Sequence, residues 1–208
     1  LLNFCTLDLS SLYFDIRKDC LYCDDEKSLK RQNCIKVLKT SLYFLVKWLH
    51  PILVFTTEEV FQTLKSNKIN SENTDESIFL IDFKNIDLDK TIEFEEKIWK
   101  ILQKVKDNIN IIFEKMRDDK VIKSGLETKV YIGTTDKLKS IFDRINLCDF
   151  LVCSSVELNN QAKKNELESL DGIDGIQILV EKAKGTKCER CWKIFENKCE
   201  RCQKISLS

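Results

Sequence analysis

Proline occurs once in the 208 residues, at position 51, histidine once, at position 50, and glycine only five times. So little backbone punctuation argues against a collagen-like, low-complexity or loop-dominated chain, and 43% apolar with 33% charged residues argues against disorder. The composition instead suits a helix-rich globular protein. The scarcity of glycine and histidine also removes chemistry. There is no phosphate-cradling glycine loop, no nucleophile elbow and no carboxylate-rich metal motif, and the lone histidine sits beside a proline at a helix boundary. The chain by itself is therefore expected to be no catalyst. Excess charge is missing too: 34 basic residues balance 34 acidic ones, so any basic surface is local. Long apolar runs are absent, the stretch Leu42 to Trp48 being broken by lysine, and the N-terminus shows no basic segment with a cleavage site. These features predict a cytoplasmic protein with no membrane partner. The first residue is Leu1, already inside an apolar pattern, which reads as a piece of something longer.

Cysteine, by contrast, is plentiful, with ten residues. A chain this long with a strong helical pattern needs no disulfide framework, so reduced thiols are expected. Four of them form two C-x-x-C pairs seven residues apart in KCERCWKIFENKCERC: Cys188, Cys191, Cys199 and Cys202. Each pair suits a tight turn presenting two thiolates to one tetrahedral ion. Four sulfur ligands leave no open position, so the pattern predicts one structural zinc ion. The alternative is four unrelated surface cysteines. Around them Lys184 to Lys204 carries seven basic and three acidic side chains. Arg190, Lys193 and Arg201 are candidates to meet phosphate, with Trp192 as a stacking surface; Trp192 equally suits docking the knuckle onto its neighbour. A further C-x-x-C, Cys20 and Cys23, has no partner pair nearby in sequence and no redox context. Cys5, Cys34, Cys148 and Cys153 sit among apolar residues and read as small core or boundary side chains.

The periodicity predicts a mainly α architecture. Helical spacing covers Phe4 to Lys18 and Ser28 to His50, where Ile35, Leu38, Leu42, Leu45 and Leu49 share a stripe. Pro51 breaks that run and suits the first turn of a third helix through Glu58 to Leu64. Lys65 to Ser77 reads as a polar loop and Ser77 to Phe83 as an extended segment. Ile98, Leu102, Val105, Ile109, Ile112 and Met116 mark a fourth, long helix ending near Arg117. Beyond Val121 the pattern predicts strands at Leu126 to Ile132, Phe150 to Leu158 and Ile176 to Glu181, and a helix at Asp136 to Ile145. The expected domains are a helical bundle at 1–117, a small α/β module at 118–183 and a zinc-binding knuckle at 184–208. Between Lys27 and His50 there are six basic residues and no acid, and Lys36, Lys39, Tyr43 and Lys47 follow helical spacing. That face is either solvated or a track for RNA backbone.

Four segments, in order, carry a resemblance: DLSSLYFDIRKDCLYCD (Asp8 to Asp24), LVKWLHPILVFTTEEVF (Leu45 to Phe61), MRDDKVIKSGLE (Met116 to Glu127) and KCERCW (Lys187 to Trp192). Together they resemble the C-terminal part of bacterial-type isoleucyl-tRNA synthetases, over nearly the whole chain. The resemblance implies a class I anticodon-binding helical domain, a junction module and a zinc-binding tail. It further implies a monomeric parent that charges isoleucine tRNA using ATP, with the catalytic, ATP and editing sites all outside these residues. By motif, the four cysteines match the family's zinc ligands, and Arg190 and Trp192 match a segment expected near the anticodon stem-loop. The chain departs from the family in a shorter gap between the cysteine pairs and in having Cys20 where the pattern has arginine. Two other readings stay open. One is a DNA-binding knuckle like that of formamidopyrimidine-type glycosylases, although no catalytic N-terminal proline or helix-two-turn-helix is found and no DNA partner is expected. The other is a purely structural zinc tail.

Overall fold

A computed structural model describes residues 1–67, 76–80, 96–170 and 175–206. They fall into two compact units, one built from residues 1–26 and 94–208 and the other from residues 27–93.

The larger unit is organised by one amphipathic helix. Helix α4 (Glu96–Asp118) places Leu102, Val105, Ile109 and Phe113 on a single buried stripe at i, i+3, i+4 spacing. That stripe covers a mixed four-stranded sheet formed by β1 (Thr128–Thr134), β2 (Ser155–Leu158), β3 (Glu168–Ser169) and β4 (Ile176–Lys182), ordered β2-β1-β4-β3. Strand β1 is central. It pairs in parallel with β2 and antiparallel with β4 along its whole length, Thr128 opposite Lys182 through Thr134 opposite Ile176. The parallel pairing requires a crossover, which α5 (Asp136–Phe142) and the one-turn α6 (Leu147–Phe150) supply. Val130, Ile132, Ile176 and Ile178 from the sheet meet Phe142, Leu147, Phe150 and Leu151 from the crossover in one core. Glycine is required at position 125, where an added Cβ would lie 2.7 Å from the Phe113 ring.

The N-terminal segment joins this unit as a π-helix, Phe4–Phe14, that continues into α1 (Asp15–Cys23). It therefore runs one turn past the expected end at Lys18. The C-terminal segment adds a two-stranded ribbon, β5 (Thr186–Lys187) with β6 (Ile194–Phe195), and α7 (Glu200–Ser206).

The smaller unit contains α2 (Leu29–Leu49) and α3 (Val54–Ser66), with Val46, Phe61 and Ile78 as its buried cluster. Helix α3 starts at Val54 rather than at Pro51, which instead lies in the connecting turn, because the Ile52 and Leu53 N–H groups still bond back to Leu49. Ile78–Leu80 is a 3-10 turn, not the extended segment the sequence suggested. The Glu58 carboxylate causes this by accepting from both Ser77 Oγ (2.8 Å) and the Ile78 N–H (3.0 Å). Residues 68–75 of the expected loop and residues 81–83 lie outside the described residues. None of the described helices is long and apolar enough to cross a membrane.

Candidate metal centre and the surface around it

The four cysteines of the double C-x-x-C motif come together. Ribbon β5–β6 pairs Thr186 with Phe195 and Lys187 with Ile194, and the loop between the strands is pulled tight by two hydrogen bonds. Cys188 N–H donates to Lys193 O and Trp192 N–H to Cys188 O, both at 2.9 Å. This fold-back points Cys188 and Cys191 the same way. It also places Trp192 in the left-handed region at φ 64°, a conformation that bulky side chains rarely adopt. Gly185 opens the ribbon at φ 129°, and an added Cβ there would fall 2.1 Å from the Phe195 carbonyl oxygen. The second pair is carried by the start of α7, where Gln203 N–H bonds Cys199 O.

All four Sγ atoms lie within 4.8 Å of one another, and Cys191 and Cys199 are 3.9 Å apart. A tetrahedral ion with metal–sulfur bonds of about 2.3 Å needs sulfur separations of roughly 3.8 Å, so the donor set fits such an ion. The thiols themselves point the same way. Burial pushes Cys191 up to about 11 and raises Cys202 well above the ordinary thiol value, each with neighbouring sulfurs adding to the shift. Burial also opposes ionisation of Cys188, but the backbone N–H groups of Cys191 and Arg190 bring it down to about 7. Four thiolates this close are tolerable only around a cation. The cluster can hold a metal ion, and with every sulfur engaged it offers no place for a reacting water.

The knuckle is seated by ion pairs. Arg201 donates from Nη1 to Asp19 (2.7 Å) and Asp24 (2.9 Å), and from Nη2 to the other Asp19 oxygen (2.9 Å). Lys193, buried, meets Asp149 at 3.1 Å and Asp19 at 3.9 Å. Lys187 reaches Glu127 at 3.3 Å, and Ser154 Oγ accepts the Ile194 N–H at 2.7 Å while donating to Leu126 O. Arg201 and Lys193, read from sequence as phosphate contacts, are thus occupied with α1 and α6 carboxylates. A bidentate arginine–carboxylate pair has little donor capacity left for a third party. Arg190 and Trp192 differ: both are exposed, Trp192 at 57%, and the Arg190 guanidinium makes a long bond, 3.5 Å, to Tyr22 O.

The second C-x-x-C is not isolated in space. Cys23 packs against the four-cysteine cluster and donates its thiol to Arg190 O at 3.5 Å. Sequence reasoning missed this contact because residues 23 and 190 are remote along the chain. It also passed over Asp19, Asp24 and Asp149. The only signal for the first two was their place inside the Asp8 to Asp24 segment.

The basic stripe of α2 divides. Lys36 and Lys39 are exposed, Tyr43 is half-buried, and Lys47 is buried, its Nζ 3.4 Å from Tyr43 Oη and 5.4 Å from the ring centroid. Lys47 therefore belongs to the packed side of the helix.

Comparison with known proteins now bears on this geometry. The family described as the anticodon-binding domain of tRNA ligase matches residues 1–132. The chain is similar to the isoleucine–tRNA ligase of Pelagibacter ubique (strain HTCC1062), 43% identical over 194 residues, covering 93% of this chain and 20% of that protein. The ligases of Mesoplasma florum (34% identical; 93% and 20% covered) and Caldicellulosiruptor saccharolyticus (37%; 92% and 20%) are likewise similar. The chain spans about a fifth of the length of these curated relatives. It is homologous to the C-terminal part of isoleucine–tRNA ligase, a class I synthetase, and belongs to the family of anticodon-binding domains of tRNA ligases.

Proposed function

We propose that this chain is the tRNA-binding portion of a cytoplasmic, monomeric isoleucine–tRNA ligase, whose remaining parts charge isoleucine tRNA using ATP. In this reading residues 1–117 form the helical anticodon-binding part, 118–183 a junction module and 184–208 the knuckle. Cys188, Cys191, Cys199 and Cys202 hold one structural zinc ion, the metal that four thiolates in tetrahedral array favour. The zinc orders a ribbon and a short helix that are too small to build a core of their own.

The observation that carries the reading is the backbone of Trp192. A left-handed residue would ordinarily be glycine, and a bulky one there costs on the order of 1–3 kcal/mol. The chain keeps a tryptophan at φ 64° on a residue that is 57% exposed. Strain borne by an exposed aromatic suits a surface on which an unstacked anticodon base lies. Arg190, beside it, supplies a cation free to approach phosphate, and Lys36 and Lys39 offer two more on α2.

The test is Trp192→Gly in the full-length enzyme. Glycine relieves the strained φ, so metal content and thermal stability are retained or rise. Loss of one base-stacking contact weakens tRNA binding by roughly 5- to 100-fold, from about 1–3 kcal/mol per stacked base. Unchanged affinity for isoleucine tRNA, with unrelated tRNA as the reference, would overturn the assignment of Trp192. One alternative has an observation in its favour: because Lys193 and Arg201 are consumed by Asp149, Asp19 and Asp24, the knuckle can be a structural tail only. The same variant decides, since a structural tail predicts no change in tRNA affinity.

A further inference from the structure

Helix α6 ends in a recognisable C-terminal turn. Val152 N–H bonds Asp149 O (3.2 Å), Cys153 N–H bonds Cys148 O (3.1 Å), and Val152 between them is left-handed at φ 56°. This is the paired 5→2 and 6→1 pattern of a Schellman motif, in which side chains three residues inside the helix end and two residues past it are brought into contact. Here both of those positions are cysteine. The Cys153 thiol is folded back onto Cys148, within 3.9 Å of its carbonyl oxygen. A β-branched residue at positive φ is an uncommon conformation, and the turn it completes brings residues 148 and 153 together, with the Cys153 thiol also 3.6 Å from Ser155 O.

The two thiols differ in access. Cys153 is fully buried. Cys148 lines a cavity of about 400 Å3 whose wall also includes Asp15, Tyr22, Asp149, Trp192 and Lys193. We propose that Cys148 and Cys153 form a redox-responsive dithiol, with Cys148 attacking a hydroperoxide that enters this cavity and Cys153 resolving the product to a disulfide.

The electrostatics match these roles. A hydrogen bond from the Cys153 thiol outweighs burial and, with the Lys193 charge, brings Cys148 down to about 6. The same contact and burial push Cys153 well above the usual thiol range. At neutral pH the half-buried partner that lines the cavity is the thiolate and the fully buried one keeps its proton, the division that nucleophile and resolving thiol require. In the first step the Cys148 thiolate attacks one peroxide oxygen, the O–O bond breaks, and Cys148 becomes a sulfenic acid as hydroxide leaves and takes up a proton. In the second, the Cys153 sulfur attacks the Cys148 sulfur, the S–O bond breaks, and the departing hydroxide takes the Cys153 proton. Two thiols and one hydrogen peroxide give one disulfide and two waters.

The experiment treats the zinc-loaded chain with one equivalent of hydrogen peroxide. Remaining thiols are blocked with N-ethylmaleimide, and the peptides are mapped by mass spectrometry without reduction. The expected result is a Cys148–Cys153 linked peptide that forms before any other oxidation and is reversed by dithiothreitol. In Cys153→Ser, Cys148 should accumulate as a sulfenic acid trapped by dimedone, and in Cys148→Ser, Cys153 should stay reduced. The proposal is overturned if both residues are recovered alkylated after other cysteines have oxidised, or if Cys153 oxidises equally fast without Cys148. The unsubstituted chain alone supplies the first of these outcomes, so the test does not depend on the variants folding.

Discussion

Arg201→Ala is the substitution that most directly separates anchoring from RNA contact. The guanidinium makes three short bonds to Asp19 and Asp24, whose side chains are only 15% and 9% exposed. Deleting it takes the guanidinium away from both carboxylates at once, while Lys193 stays 3.9 Å from Asp19. Removing one partner of a buried ion pair costs roughly 3–5 kcal/mol. The guanidinium is itself about one-third exposed and Lys193 persists, so about 2–3 kcal/mol is the better expectation here. For a chain of this size about 1 kcal/mol corresponds to roughly 2–4 °C, which places the melting temperature of the metal-loaded variant about 5–10 °C lower. Near-ultraviolet circular dichroism follows this through the tryptophans. A triple variant, Arg201→Met with Asp19→Asn and Asp24→Asn, removes these three charges together and leaves Lys193 on Asp149, so it should recover most of the loss, because the penalty lies in carboxylates that have lost the guanidinium. A drop below about 2 °C for Arg201→Ala would refute the reasoning, since that is the behaviour of an exposed pair, and would return Arg201 to the list of residues free to meet phosphate.

Gly185→Ala drives a Cβ into the Phe195 carbonyl at 2.1 Å; metal affinity should fall at least tenfold in a competition titration while the α4 core keeps its hydrogen-exchange protection. Stripping the metal with a chelator should release the amide protons of β5, β6 and α7 and leave those of β1 and β4 protected, and equal loss in both would show that the knuckle is not an autonomous metal-ordered element. The Lys123 N–H, with Lys187, holds the Glu127 carboxyl below its ordinary 4.5. A depressed folded value means stability that is present above pH 4.5 and is lost as pH falls through the folded value, so Glu127→Gln should flatten the stability profile below pH 4.5 and not above it. Lys36→Ala and Lys39→Ala should each reduce the slope of log affinity against log salt for tRNA by about 0.7–0.9, whereas Lys47→Ala, whose amine is buried against Tyr43, should lower stability and leave the slope unchanged.

Features set by local pattern were readable in advance. The stripe of α4 was legible through Leu102, Val105 and Ile109, although Phe113 is buried where Ile112 and Met116 were expected and these two are only half-buried, and the cysteine cluster follows from spacing, since two C-x-x-C turns need only meet once. Elements too short to show a period were not readable: α6 is four residues and β3, β5 and β6 are two each, all defined by partners elsewhere. Charge was legible as composition but not as allegiance. Nothing near Lys193 or Arg201 in sequence indicates that Asp149, 44 residues away, and Asp19, 182 residues away, would claim them. The same distance hid Cys23 from the cluster it packs against, and hid the difference between Lys39, which faces water, and Lys47, which does not.

That allocation of charge explains how so small a knuckle can be both rigid and available. A two-residue ribbon and a seven-residue helix cannot bury enough apolar surface to offset the entropy of ordering them. Order must come from fixed polar contacts and from a metal ion such as the four cysteines can hold. Those contacts engage Lys193 and Arg201 fully and Lys187 at its tip, its side chain 49% exposed, each matched to a carboxylate on a different part of the larger unit: Glu127 before β1, Asp149 on α6, Asp19 on α1. Three such anchors from separate elements fix an orientation that any one of them would leave free to rotate. A cation held as Lys193 and Arg201 are has little left to offer a ligand, so in the proposed reading the residues that anchor and the residues that would meet RNA are different ones. Of the seven basic side chains from Lys184 to Lys204, the four that remain, Lys184, Arg190, Lys198 and Lys204, are all exposed. In the proposed reading, electrostatic attraction of the knuckle for tRNA would rest on those four and on the half-exposed Lys187, with Trp192 held among them by the turn that also shapes the cysteine cluster.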